Sequence, residues 1–245
     1  MTRDDEERGG SRKKWPACSN RREQYLELLV FLFLILPSLV FSFFAVRQGN
    51  MSFMLISSAA ILRDLSLVSL ILFFIWRNNE PAIAIGWTVR NIRKEIGIGL
   101  WLFLPFFFVT SVLEGLLHKA GLSVPSTPLP ALISEKGIAE FTLAFFMVIT
   151  VALAEETIFR GYLILRFRAV TSSPAAAVLL SAVIFSLGHG YEGTASVVTI
   201  GIMGAVLGLV YLWRESLIAP IVMHFLQDFI GIVLIPLLKQ FKFIP

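Results

Sequence analysis

The chain has 245 residues, of which 56% are hydrophobic and 16% charged, with a mean hydropathy of +0.79. A soluble domain carries about 25% charged residues, so this composition excludes a soluble globular protein and describes a polytopic membrane protein. The net charge of +4 does not point to nucleic acid, because most Lys and Arg residues flank apolar runs, where the positive-inside rule puts them.

Residues 1–24 are polar, mixed in charge and without apolar periodicity; they read as a disordered cytoplasmic tail. Cys18, the single cysteine, cannot close an internal disulfide. It also lacks the preceding apolar run of a secretory signal or lipid-anchor site. Apolar runs long enough to span a bilayer follow near 25–46, 52–76, 95–117, 138–160, 174–191, 195–213 and 216–238. The predicted fold class is all-α, a polytopic integral membrane bundle of about seven helices. Gly231 and Pro236 permit a break in the last run, which would make an eighth span. Between the third and fourth runs, "SVPSTPLP" is a proline-rich loop that cannot be helical throughout. Three parts are expected: the tail at 1–24, amino-terminal transmembrane helices at 25–137 and a carboxyl-terminal transmembrane domain at 138–238.

Alternate connections, taken with the two ends, carry 15 Lys and Arg on one side and 5 on the other, and Arg63 inside the second run completes the 21. This bias predicts a cytoplasmic amino terminus. With seven spans, the carboxyl terminus is then outside.

An ionisable residue inside a span is a functional hypothesis by default. The fourth run contains Glu155, Glu156 and Arg160, the fifth ends on His189, and the seventh contains His224 and Asp228. Arg63 and Asp64 lie in the second run, and Glu114 lies near the end of the third. Arg63 and Asp64 either pair with other helices, line the cavity or form a structural polar contact within the bundle, and they are left outside the predicted site; His118, beside Lys119 at a helix end, is read as interfacial.

Residues four apart share a helix face, whereas adjacent residues diverge by about 100°. Glu156 is therefore expected to pair with Arg160 and to hold the helix in place. Glu155 is expected to face the bundle interior, where partial desolvation makes a carboxylate a better base for proton transfer. The two roles could be exchanged. His224 and Asp228 are also four apart. A carboxylate and an imidazole can hold and activate a water, and a second imidazole can stabilise an oxyanion. This is equipment for hydrolysing an acyl bond without a covalent intermediate. Ser181 and Ser186 share a run with His189, but a serine triad would lack its third member, so they read as helix-packing serines.

The segments "EETIFR" (155–160), "FSLGH" (185–189) and "HFLQD" (224–228) resemble, in order and spacing, the three motifs of the CAAX protease and bacteriocin-processing family of intramembrane endopeptidases. The resemblance covers about 138–238, the carboxyl-terminal part of the chain. It implies that Glu155 and His189 activate the water, that His224 and Asp228 occupy the oxyanion position, and that Glu156 and Arg160 support the first glutamate. Phe185 would shape the pocket beneath His189. Many relatives of the Ras-converting type have Asn where this chain has Asp228, and an ionised Asp cannot donate a hydrogen bond. Either Asp228 carries a proton, or it orients His224 and leaves the oxyanion to the imidazole. No cofactor is expected; zinc is the alternative, although the His-Glu-x-x-His helix is absent.

The expected function is therefore an intramembrane endopeptidase, a hydrolase of glutamic type with a metalloprotease as the alternative. Its partners would be the lipid bilayer and a membrane-associated protein or peptide, for example a CAAX-type prenylated terminus or a leader-bearing precursor. The competing function is non-proteolytic, a transporter or a bacteriocin-immunity binding protein. A compact chain with a polar tail suits the plasma (inner) membrane of a prokaryote. The cavity is expected to open towards the cytoplasm, on the side of the arginines.

One difficulty is depth. At 1.5 Å per residue, Glu155 lies about 16 Å from Arg166 and His224 about 15 Å from Arg214, but His189 lies about 24 Å from Ser173. Tilt, or a break at Gly188 and Gly190, is needed to bring them to one level.

Overall fold

The computed structural model describes residues 21–47, 52–123 and 138–241. Cys18, most of the tail and all of the proline-rich loop except Ser123 lie outside the described residues. Helix α1 (Arg21–Arg47) is followed by α2 (Phe53–Arg77), a short 3-10 turn (Ala82–Ile85) and α3 (Ile92–Lys119). Helix α4 (Ile138–Glu155) passes without a break through a π-helical stretch (Glu156–Leu163) into α5 (Ile164–Thr171). Then come α6 (Pro174–Leu187), a 3-10 turn (Gly190–Glu192), α7 (Thr194–Arg214) and α8 (Ile218–Asp228). A second π-helical stretch (Phe229–Leu234) joins α8 to α9 (Ile235–Gln240). The described residues contain no strand, and six helical segments are long and apolar enough to cross a membrane. The protein is an all-α polytopic membrane bundle, as expected.

Local sequence explains the helix boundaries. Ser52 begins α2 by accepting a hydrogen bond from the Leu55 amide at 3.3 Å. Ser173 does the same for α6 through the Ala176 amide, and Pro174 occupies the first turn, where its missing N–H costs nothing. Gly193, at φ +92°, turns the chain into α7 in a conformation that favours glycine.

Two helices differ in length from the apolar runs that predict them. The fourth continues to Thr171 as one 34-residue helical span, because Arg160 and Arg166 both find internal partners. The fifth stops at Leu187 after 14 residues. At 1.5 Å per residue α6 is about 21 Å long, shorter than the roughly 30 Å hydrocarbon layer. No eighth span forms among the described residues. The break permitted by Gly231 and Pro236 is taken up by the π-helical stretch, and residues 218–240 count as one span.

Small residues bring the helices close. A Cβ on Gly99 would come 2.8 Å from Val222 Cβ, which joins α3 to α8, and one on Gly204 would come 3.1 Å from Phe185 Cδ1, which joins α7 to α6. One end of the bundle is sealed. Arg166 is fully buried and donates to both Glu80 oxygens at 2.9 Å and to Glu27 Oε2 at 3.2 Å. It is therefore not the interfacial arginine assumed in counting depth. At the same end Leu217 N–H donates to the Gly86 carbonyl at 3.0 Å and Arg214 pairs with Glu95 at 2.6 Å. Gly161 lies so close to the 3-10 turn that a Cβ there would meet the Ile85 carbonyl oxygen at 2.7 Å.

Candidate active site

Glu155 and Glu156 stand where α4 gives way to the π-helical stretch. Such stretches widen the helix locally and occur often at functional sites. Both carboxylates are buried, and they have different partners. Glu156, with no exposure, lies with Oε1 2.8 Å from Arg160 Nη1 and accepts a 2.7 Å hydrogen bond from His224 Nδ1. The Arg160 guanidinium also stacks on the Phe185 ring at 4.3 Å. The Glu156–Arg160 pair thus forms as helical spacing predicts, and it also reaches α8 through His224.

Glu155 instead lines a cavity of about 750 Å³ in the interior of the bundle. Its Oε1 lies 3.7 Å from Arg63 Nη2, and its Oε2 lies 3.8 Å from His224 Nε2. The second imidazole nitrogen of His224 therefore points at Glu155 and Asp228, whose Oδ2 is 3.4 Å away. Asp228 and His189 line the same cavity.

His189 lies just beyond the end of α6, not inside it. Gly188 caps that helix, and the 3-10 turn follows. His189 Nδ1 is 3.0 Å from the Phe185 carbonyl. A carbonyl can only accept, so Nδ1 carries the proton and Nε2 is free to act as an acceptor. The Phe185 ring bridges the two imidazoles, with centroids 4.9 Å from His189 and 5.9 Å from His224. The short helix and its break at Gly188 let His189 share the cavity, which resolves the depth mismatch. All six predicted site residues, Glu155, Glu156, Arg160, His189, His224 and Asp228, come together around Phe185 and the cavity floor.

Four further groups belong to this place. Of the readings open to Arg63 and Asp64, lining the cavity is the one observed: both face it, and Arg63 Nε donates to Asp64 Oδ1 at 2.8 Å. Glu114 also lines it and accepts from Ser196 Oγ at 2.9 Å. Charge inside a span was the signal for all three, but which helices pack together is a tertiary fact. Glu192, in the turn after His189, completes the acidic wall. Burial pushes its carboxyl above the ordinary range, against the pull of His189. The serines behave as packing groups: Ser181 Oγ donates to the Phe159 carbonyl at 2.6 Å and Ser186 Oγ to the Val183 carbonyl at 3.0 Å. Among the described residues, no three His, Cys, Asp or Glu side chains are arranged to hold a metal ion.

A helical membrane bundle that gathers two glutamates, two histidines and an arginine at an internal cavity defines a class: a polytopic membrane protein with a charged site inside the bundle. The comparisons make the class specific. Residues 137–230 match the family model described as Rce1-like, Type II CAAX prenyl endopeptidase Rce1-like. The match over residues 137–230 supports membership of the CAAX protease and bacteriocin-processing family. The chain is an integral membrane protein with a protease domain of the CAAX endopeptidase type, and such a domain acts on a protein substrate. Comparison with curated proteins and with solved structures gives no match.

Proposed function

We propose that the protein hydrolyses a peptide bond of a membrane-associated protein with a water activated by Glu155 and His189, without a metal. The observation that carries this reading is the position of Glu155. It is a buried carboxylate on the cavity wall, flanked by Arg63 at 3.7 Å and His224 at 3.8 Å, and neither contact is close enough to hold its oxygens permanently. Glu155 takes a proton from water as the oxygen attacks the substrate carbonyl, and then returns it to the departing amine. His189 accepts through Nε2 and steadies the water. His224, fixed by Glu156 at Nδ1, donates from Nε2 in its protonated form to the oxyanion. Asp228, at 3.4 Å from that nitrogen, orients the ring. This geometry favours the orienting role for Asp228 over donation by the carboxyl itself. Arg160 and Glu156 set the floor on which His224 rests.

Arg63 positions Glu155 from a neighbouring helix. Arg63→Gln is expected to lower kcat about tenfold, the scale of a weak contact to a charged group, with KM nearly unchanged. Steady-state kinetics on a fluorogenic peptide check this; a rise in KM alone would assign Arg63 to substrate binding.

The test of the function is cleavage of a quenched-fluorescent library of membrane-peptide substrates by the purified protein, with and without a zinc chelator. Cleavage that survives chelation is expected. Loss on chelation, restored by zinc, would make the site a metalloprotease. If no peptide is cut, but the protein carries protons or a solute across liposomes and Glu155→Gln stops it, the protein is a transporter.

A further inference from the structure

The cavity is not centred along the bundle. Each helix can be divided by the end its residues approach. The sealed end gathers Glu27, Glu80, Arg166, Arg214 and Leu217. The opposite end gathers Ser123, bonded to Thr194 at 3.0 Å, and Glu114, bonded to Ser196 at 2.9 Å. The cavity-lining residues lie in the middle of the bundle and in the half towards this second end. On α2 they run from Ile56 to Leu67, near its beginning at Phe53. On α7 they run from Ser196 to Leu207, near its beginning at Thr194. On α3 the cavity is lined by Glu114, five residues before the helix ends at Lys119.

Burial follows the same gradient. Between Glu155 and Arg166, the side chains Ile158, Phe159, Arg160, Tyr162, Leu163 and Ile164 are at most 4% exposed. His189, Tyr191 and Glu192, on the other side, are only half-buried. The sealed end is also the basic one. It carries Arg77, Arg90, Arg93, Lys94, Arg168 and Arg214 in the connections and helix ends there, so the positive-inside rule places it in the cytoplasm. On that orientation the cavity-lining residues lie towards the face opposite the arginines, whereas the sequence suggests an opening on their side.

We propose that the site is reached from the non-cytoplasmic side of the membrane, so that its substrate is a protein segment presented at or just within that outer face. The proposal rests on the protease reading only for the word substrate; access itself can be measured in an inactive chain. A cytoplasmic segment would have to cross the Arg166–Glu80–Glu27 seal and about three turns of closely packed helix to reach Glu155.

Thiol accessibility in intact cells tests this. With Cys18 changed to Ser, single cysteines are placed by Ser196→Cys and Ala60→Cys in the cavity wall, Ser123→Cys at the outer end and Val89→Cys at the sealed end, where Val89 is 85% exposed. Each full-length variant is exposed to a membrane-impermeant cationic methanethiosulfonate before and after permeabilisation. Ser123→Cys, Ser196→Cys and Ala60→Cys are expected to react in intact cells, at least tenfold faster than Val89→Cys, which reacts only after permeabilisation. Reaction of the cavity cysteines only after permeabilisation would overturn the proposal, as would their failure to react at all or labelling of Val89→Cys in intact cells. Two cavity positions guard against one variant misfolding. Adding Glu155→Gln should leave the labelling unchanged, so a failed access test is distinguishable from a failed protease test.

Discussion

Glu155→Gln is expected to lower peptide cleavage by at least about a thousandfold, within the range for removing a general base, while leaving the fold intact. Gln matches the shape of Glu but cannot take a proton. The fold survives because Glu155 supplies little of the packing energy: its charged neighbours stand at 3.7 and 3.8 Å, beyond hydrogen-bond range. Glu155→Asp keeps the carboxylate but draws it back from the cavity, and about a hundredfold loss is expected from misplacement of this kind. Turnover of a cleaved peptide, measured beside thermal stability in detergent, separates chemistry from folding. A Glu155→Gln protein that cuts as well as wild type would remove Glu155 from the reaction and reopen the exchange of roles with Glu156. The same substitution at Glu156 would disturb structure as well, because that carboxylate holds Arg160 and His224 together.

Arg160→Met should have the largest effect on stability. Arg160 is 1% exposed, with its guanidinium 2.8 Å from Glu156 and stacked on Phe185. Removing it leaves a buried carboxylate without its cation, which costs about 3–5 kcal/mol. Arg160→Lys restores the charge but not the planar stacking on Phe185, so only partial recovery is expected. The double variant Arg160→Met with Glu156→Gln should be more stable than Arg160→Met alone, since the stranded charge is gone. Unfolding followed by thermal shift in detergent checks the series. If Arg160→Met unfolds like wild type, the pair contributes nothing to the fold.

The reach of sequence reasoning is clearest at particular residues. Glu156 and Arg160 were legible as a pair because helical periodicity alone puts positions four apart on one face; the π-helical stretch did not undo it. His224 and Asp228 were legible for the same reason. The link from His224 to Glu156 was not, because it joins residues 68 apart on different helices. Arg63 and Asp64 were left open between a structural contact and the cavity wall, since nothing in α2 itself says that its charged face meets α4. Arg166 looked like a marker of the membrane surface. Its two acidic partners come from α1 and the connection after α2, 139 and 86 residues away, and only their convergence makes burial of the arginine tolerable. His189 was placed at the end of its run with either tilt or a break at Gly188 to bring it level, and the helix stops at Leu187 with Gly188 as its cap.

By itself, the sequence determined what local chemistry can determine. Apolar runs of bilayer length make spanning helices, because backbone polar groups in lipid must be satisfied within the segment. Charge bias predicts their orientation, and three short motifs identify the family. Tertiary structure decided which charges share a cavity, which are locked into a seal, and towards which end of the bundle the cavity lies. Those properties depend on the ends at which separate helices meet, and no single helix carries that information in its own periodicity.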